Sequence, residues 1–91
     1  MIDLALVRGE IAVIGLGRSG IAAARLLARE GGRVYASDAG SSAPVARAAA
    51  ELRAAGIAAD CGSHDLARIA AASLVVASPG VPPDAPPLAA A

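Results

Sequence analysis

The sequence predicts an α/β fold in which helices cover both faces of a parallel sheet. Along the 91 residues, short apolar runs alternate with Ala-rich segments of helical periodicity. The first apolar run leads directly into glycines spaced G-x-G-x-x-G, which is typical of a strand–loop–helix unit. Alternating strands and helices imply parallel pairing and right-handed crossovers. We therefore expect a Rossmann-like three-layer domain with about four strands in the order 3-2-1-4.

The first half of the chain is predicted to form a strand, a helix and a second strand. Residues 10–15 are apolar without alternation, as in a strand buried on both faces. A helix is expected over 19–30, because small residues recur on one of its faces and arginines on another. Glycines at 31–32 end it. The second strand covers 33–37 and ends at Asp38.

The second half repeats this pattern, with glycine and proline again marking the boundaries. The predicted elements are a helix from Pro44 to Gly56, a weak third strand over 57–61, a short helix within 62–72 that starts near Ser63 or Asp65, and a fourth strand over 74–77. A Pro-rich segment, "VPPDAPP", follows.

Composition excludes several classes of protein. The 8 basic and 8 acidic residues give zero net charge, so neither nucleic acid nor an anionic membrane is indicated as a partner. The N-terminus has no long apolar run, so we expect neither a signal peptide nor a membrane span, and a cytoplasmic location. The one cysteine, Cys61, cannot form an internal disulfide. Cys61 and His64 have no metal-ligand spacing, and we predict no metal site.

The glycine loop is the first candidate binding site. Gly15 permits a tight turn, Gly17 lets a phosphate approach the backbone, and Gly20 lets the helix pack against the strand. The N–H groups of Arg18, Ser19 and Gly20 would lie at the helix start, where the dipole favours an anion. The loop therefore predicts phosphate binding, and the alternative is a structural turn without a ligand.

Asp38 is the second candidate. It follows the second strand, roughly 20 residues after Gly17, where an acid in dinucleotide folds accepts hydrogen bonds from ribose hydroxyls. A carboxylate there could equally accept from the N3–H of uracil. The alternative is an aspartate that only stabilises a turn or caps a helix.

Ser78, Pro79 and Gly80 are the third candidate. In the expected strand order, the ligand crevice opens between the carboxyl ends of strands one and four. The glycine loop would form one side of this crevice and the Ser78-Pro79-Gly80 segment the other. The alternative is a plain turn after a buried strand.

Three segments together carry a resemblance to a known family. "VIGLGRSGIAAARLLAREGGRVYASD", "GSHD" and "LVVASPGVPPDAPPL", with their spacing, resemble the N-terminal domain of the Mur ligases, in particular the members that add D-glutamate. The glycine loop is shared with many Rossmann domains. Its combination with "SPGVPPDAP" is much more specific, and the resemblance covers nearly the whole chain.

The resemblance implies a three-domain ligase that joins D-glutamate to UDP-N-acetylmuramoyl-L-alanine in peptidoglycan synthesis, using ATP and magnesium. Its first domain binds the UDP part of the substrate, a central domain binds ATP, and a C-terminal domain binds the amino acid. Residues 1–91 match only the first. They are therefore expected to form one nucleotide-binding domain, a fragment of that ligase.

The resemblance also implies roles for the candidate residues. The turn at Arg18 and Ser19 would meet the diphosphate. Asp38 and the segment Ser78-Pro79-Gly80 would lie around the uracil. Some relatives carry a hydroxyl residue and an arginine where this chain has Ala39 and Gly40, which removes possible side-chain contacts to the base.

Two other functions remain open from the residues: the N-terminal half of an NAD(P)-dependent dehydrogenase, and a stand-alone nucleotide-sensing module. A full dinucleotide site needs two mononucleotide-binding halves, and about four strands supply only one. The chain also has no G-x-x-x-x-G-K-[ST] loop and no predicted catalytic residue. We therefore expect the isolated chain to bind a nucleotide but to have no ligase or ATPase activity.

Overall fold

The computed structural model describes residues 9–77 of the chain, and the seven predicted elements are all present there. None of the helices in this range is long and apolar enough to cross a bilayer. In chain order the elements are β1 (Glu10–Ile14), α1 (Arg18–Arg29), β2 (Arg33–Asp38), α2 (Ala43–Ala54), β3 (Ala58–Cys61), α3 (Leu66–Ala71) and β4 (Leu74–Ala77).

The four strands form one parallel sheet in the order β3-β2-β1-β4, which confirms the predicted topology. Ile14, the last residue of β1, pairs with Ser37 of β2 on one side and with Ala77 of β4 on the other. The carboxyl ends of these three strands therefore lie side by side. The weakly predicted β3 is a true strand, and its Ala59 is buried beside β2.

One face of the sheet is covered by α1 and α2, and it is aliphatic. Every residue of its buried cluster is Ala, Val, Leu or Ile, and Ala24 and Leu52 of the helices are fully buried. The small side chains let the helices approach the strands closely. The cluster consists of Val13, Leu16, Ala24, Val34, Ala36, Ala48, Ala49, Leu52, Ile57 and Ala59.

The other face carries the short helix α3 and a smaller buried cluster of Ala12, Ile14, Tyr35 and Ile69. Of the two predicted starting residues, Ser63 and Asp65, the second is the N-cap of the helix, and its Oδ1 accepts a hydrogen bond from the Arg68 backbone N–H at 3.0 Å. Ile69 is the helix's one buried side chain among the described residues.

Tyr35, the only aromatic residue of the chain, joins this face to α3. Its hydroxyl donates to Asp60 Oδ2 at 2.6 Å and accepts from the Asp65 N–H at 2.9 Å. The Arg68 guanidinium lies 4.5 Å from the ring centroid and donates to both carboxylate oxygens of Glu10, at 2.5 and 2.6 Å. Burial raises the pKa of Tyr35, and its bond to Asp60 raises it further.

Candidate functional site at the carboxyl edge of the sheet

The glycine loop, residues 15–17, lies at the carboxyl edge of the sheet. It connects β1 to α1, so it starts where the central strand ends. β2 ends beside it at Asp38, and β4 is described up to Ala77 on its other side. This is the edge at which open parallel sheets bind ligands.

Gly15 makes the turn out of the strand in a conformation that side chains disfavour. Its φ is +101°, in the left-handed region where a Cβ clashes with the backbone. Its N–H donates to the Ser37 carbonyl at 2.7 Å, which ties the start of the loop to β2. Backbone geometry alone therefore accounts for glycine at this position.

Gly17 differs, because neither conformation nor packing requires a glycine there. Its φ of −77° and ψ of −173° are extended values open to any residue. A Cβ added at this position would have no described atom within 4 Å. The space above the Gly17 backbone is therefore open on the side where a side chain would otherwise stand.

The start of α1 leaves its N–H groups available. Gly17 is the N-cap and has no side chain that could accept a hydrogen bond from the N–H groups of the first turn. The first turn holds no acidic residue. The first N–H groups of a helix have no partner inside the helix, and its dipole attracts anions. Arg18 and Ser19 are exposed beside this opening, while Gly20, in the first turn of the helix, is buried.

Asp38 is held by two backbone hydrogen bonds. Its Oδ2 accepts from the Leu16 N–H and its Oδ1 from the Gly40 N–H, both at 2.8 Å. A Cβ at Gly40 would lie 3.2 Å from that same Oδ1. Sequence reasoning proposed a turn aspartate or a ligand-binding one and did not foresee the bond to the glycine loop. Asp38 can hold the backbone and also accept a hydrogen bond from a ligand, because a carboxylate offers about four lone-pair positions.

The loop between β3 and α3 supports the turn after β2. Ser63 and Asp38 form an isolated antiparallel β-bridge, and the Gly62 N–H donates to the Gly40 carbonyl at 2.8 Å. His64 Nδ1 lies 2.6 Å from the hydroxyl of the fully buried Ser37. His64 therefore has a structural partner that the sequence did not indicate.

Of the predicted site residues, the structure brings the glycine loop and Asp38 into direct contact through Leu16. Ser78, Pro79 and Gly80 lie outside the described residues. Ala39 and Gly40 are exposed at the turn that follows β2. Within residues 9–77 there is no group of three His, Cys, Asp or Glu side chains that could hold a metal ion.

A family model for the Mur ligase MurD-like N-terminal domain matches residues 9–91. The chain belongs to this family. Three MurD-like relatives carry the name UDP-N-acetylmuramoylalanine--D-glutamate ligase. The identity is 49% to that of Anaeromyxobacter dehalogenans, 44% to that of Geobacter metallireducens and 42% to that of Acidobacterium capsulatum.

The matched segments cover 80%, 90% and 87% of this chain, in the same order, but only 16%, 18% and 17% of the relatives' lengths. The chain therefore spans less than a fifth of the length of these relatives. Within the MurD-like domain, the glycine loop, the Asp38 carboxylate and the start of α1 lie together where β1 and β2 end.

Proposed function

We propose that the chain is the N-terminal, UDP-substrate-binding domain of an ATP-dependent ligase that adds D-glutamate to UDP-N-acetylmuramoyl-L-alanine in peptidoglycan synthesis. Family membership and the names of its relatives support this. Residues 1–91 would belong to this one domain. The relatives' much greater length leaves room for a central ATP-binding domain and a C-terminal domain in the same cytoplasmic polypeptide.

The observation that carries the proposal is the open space above Gly17. A glycine that neither conformation nor packing requires is best explained by a ligand that needs the space. The uncapped N–H groups of Arg18, Ser19 and Gly20 lie next to this space and suit a diphosphate. Gly15 supplies the turn that directs the chain from β1 into this helix start.

The uracil end of the substrate would lie between Asp38 and the segment Ser78-Pro79-Gly80. Asp38 retains lone pairs for the N3–H of the base after it has accepted its two backbone hydrogen bonds. β4 pairs with β1 up to Ala77, so the chain reaches the expected crevice directly before Ser78.

Catalysis would take place in the other domains. The chain has no G-x-x-x-x-G-K-[ST] segment with which to hold the phosphates of ATP. In the complete ligase, ATP with magnesium would activate the carboxyl group of the substrate. The residues of this chain would hold the UDP end of that substrate at the sheet edge.

A titration of the ¹⁵N-labelled chain, followed by NMR, tests the proposal. UDP is expected to shift the amides of residues 17–20, 38, 78 and 80, whereas Pro79 has no amide N–H to observe. A dissociation constant near ~1 mM, or about −4 kcal/mol, is expected because the domains that would cover the rest of the substrate are missing. Gly17→Val should abolish these shifts while leaving the fold intact, because valine favours the extended backbone found at this position.

Ala22→Val is the matched control, since it adds the same side chain at an exposed position of α1 away from the loop. It should bind UDP as the wild type does. The same titration with NAD separates the proposal from the dehydrogenase alternative. NAD binding clearly tighter than UDP, or UDP shifts that survive in Gly17→Val, would refute the proposed function.

A further inference from the structure

Asp38 connects two segments of the proposed site that are far apart in the sequence. One oxygen of its carboxylate accepts from the amide of Leu16 inside the glycine loop, and the other accepts from Gly40 in the turn after β2. The carboxylate therefore fixes the distance between the loop proposed for the diphosphate and the turn proposed for the base.

The bond to Leu16 directly determines where the loop lies. The Leu16 side chain is 2% exposed and packs into the core beneath α1 and α2. With its side chain held from below and its N–H held by Asp38, Leu16 has little freedom, and it directly precedes Gly17. Hydrogen bonds to a carboxylate are roughly twice as strong as neutral ones, so this contact is a strong constraint on the loop.

We propose that Asp38 is a positioning residue for the phosphate subsite, in addition to any contact with the nucleoside. It holds the Leu16 amide so that the N–H groups at the start of α1 face the ligand. This rests on the proposed function in so far as it concerns a phosphate ligand. The hydrogen bond to the loop itself does not depend on that function.

The charge of Asp38 and its positioning role predict opposite changes in anion binding when the carboxylate is neutralised. A carboxylate near bound diphosphate repels it, so neutralising Asp38 should tighten the binding of a bare anion if charge alone matters. If Asp38 positions the loop, neutralisation should weaken that binding. If Asp38 contacts only the base, the binding of an anion that has no base should not change.

The test compares Asp38→Asn with the wild-type chain, using UDP and inorganic pyrophosphate as ligands. Asparagine has one side-chain oxygen, so it can accept from only one of the two backbone N–H groups, and its amide group faces the other. We expect about tenfold weaker pyrophosphate binding, as for the loss of one charge-assisted hydrogen bond. Without ligand, hydrogen exchange at the Leu16 amide should accelerate by a similar factor.

Asp60→Asn is the matched control. Asp60 lies on the neighbouring strand, opposite Ser37, and accepts from Tyr35 rather than from the glycine loop. The variant removes the same charge but keeps an oxygen for the tyrosine. It should leave exchange at Leu16 unchanged and alter pyrophosphate binding by less than about twofold, because the Asp60 carboxylate is half exposed and is therefore screened by water and salt.

Each outcome separates the inference from the proposed function. Unchanged Leu16 exchange in Asp38→Asn, or pyrophosphate binding that stays equal or tightens, overturns the positioning role. Weaker UDP binding with unchanged pyrophosphate binding assigns Asp38 to the base alone and also overturns it. A wild-type chain that binds neither ligand overturns the proposed function and the phosphate part of this inference, while exchange at Leu16 still decides whether Asp38 holds the loop.

Discussion

The two faces of the sheet are stabilised in different ways. The face under α1 and α2 is an aliphatic layer, in which Leu52 and Ala49 are fully buried and no side chain of the cluster carries a polar atom. The face under α3 has a much smaller apolar cluster, and its largest residue is Tyr35, whose hydroxyl is hydrogen-bonded. Burial of apolar surface stabilises the face under α1 and α2. On the face under α3, hydrogen bonds supplement that burial.

Helix length explains the difference. α1 and α2 have twelve residues each, whereas α3 has six, less than two turns. A helix that short is not stable alone and presents only Ile69 as a buried side chain within the described part of the chain. The hydrogen bond that the Asp65 N–H donates to the Tyr35 hydroxyl therefore fastens its start, and the Arg68 guanidinium over the Tyr35 ring fastens its centre.

The strongest test of the apolar layer is Leu52→Ala. The side chain is fully buried between α2 and the sheet, so its loss leaves a cavity and should lower the free energy of unfolding by about 2–5 kcal/mol. Urea unfolding followed by circular dichroism measures this. The matched control is Leu26→Ala on α1, where the leucine is 54% exposed and the loss should stay below about 0.5 kcal/mol. Equal losses at the two positions would mean that the layer is not close-packed.

Tyr35→Phe tests the polar attachment of the other face. The change keeps the ring under Arg68 but removes the hydroxyl, so the Asp65 N–H loses its acceptor and Asp60 loses its donor. We expect the free energy of unfolding to fall by about 1–3 kcal/mol. Hydrogen exchange should accelerate first in α3. A loss spread evenly over all three helices would argue against a local attachment.

The dependence of the free energy of unfolding on alkaline pH provides a second test of the Tyr35 hydroxyl. The pKa of Tyr35 is raised above its ordinary value of 10.0, mainly by burial and then by the bond to Asp60. The stabilisation from the neutral hydroxyl is thus complete below pH 10 and is lost as the pH rises through the raised pKa. The wild-type chain should lose stability in that range, and Tyr35→Phe should lack this loss.

The smallest effect is expected from Arg68→Lys. Lysine keeps the charge but cannot donate to both Glu10 oxygens in one plane, nor stack on Tyr35 as a guanidinium does. Because the Arg68–Glu10 ion pair is partly exposed, the free energy of unfolding should fall by less than about 1 kcal/mol. This decrease should be smaller in high salt. Arg25→Lys is the control, since its Glu51 partner is 3.8 Å away and both side chains are half exposed. A larger decrease in the free energy of unfolding for Arg25→Lys than for Arg68→Lys would contradict this prediction.

The fold was predictable because local signals and long-range packing agree in this chain. Glycine and proline mark most element boundaries, and the apolar run of β1 indicates a strand buried on both faces. β3 was the weakest prediction, since its alanines carry little β-propensity. It forms because Ala59 is buried beside β2. Burial against the neighbouring strand, rather than local β-propensity, decides its structure.

The site was only partly predictable, for a related reason. The glycine spacing indicates where the loop and the helix start lie, because these features are local. The Asp38 bond to Leu16 depends on the parallel register that places Ser37 opposite Ile14. The contacts of Tyr35 with Asp60 and Asp65 likewise join residues from separate elements. Side-chain partners of this kind follow from the three-dimensional arrangement and leave no spacing signal in one sequence.

The uncapped start of α1 has a consequence for how the chain's stability responds to its surroundings. A serine or aspartate at position 17 would fit the extended backbone and supply the missing acceptor, which is worth roughly a few tenths of a kcal/mol over glycine at helix starts. Under the proposed function, the bound anion takes the place of that side chain. Occupancy and folding are then thermodynamically linked, and the domain unfolds at higher urea concentrations as UDP is added. A variant selected only for stability would tend to acquire the cap and lose the ligand.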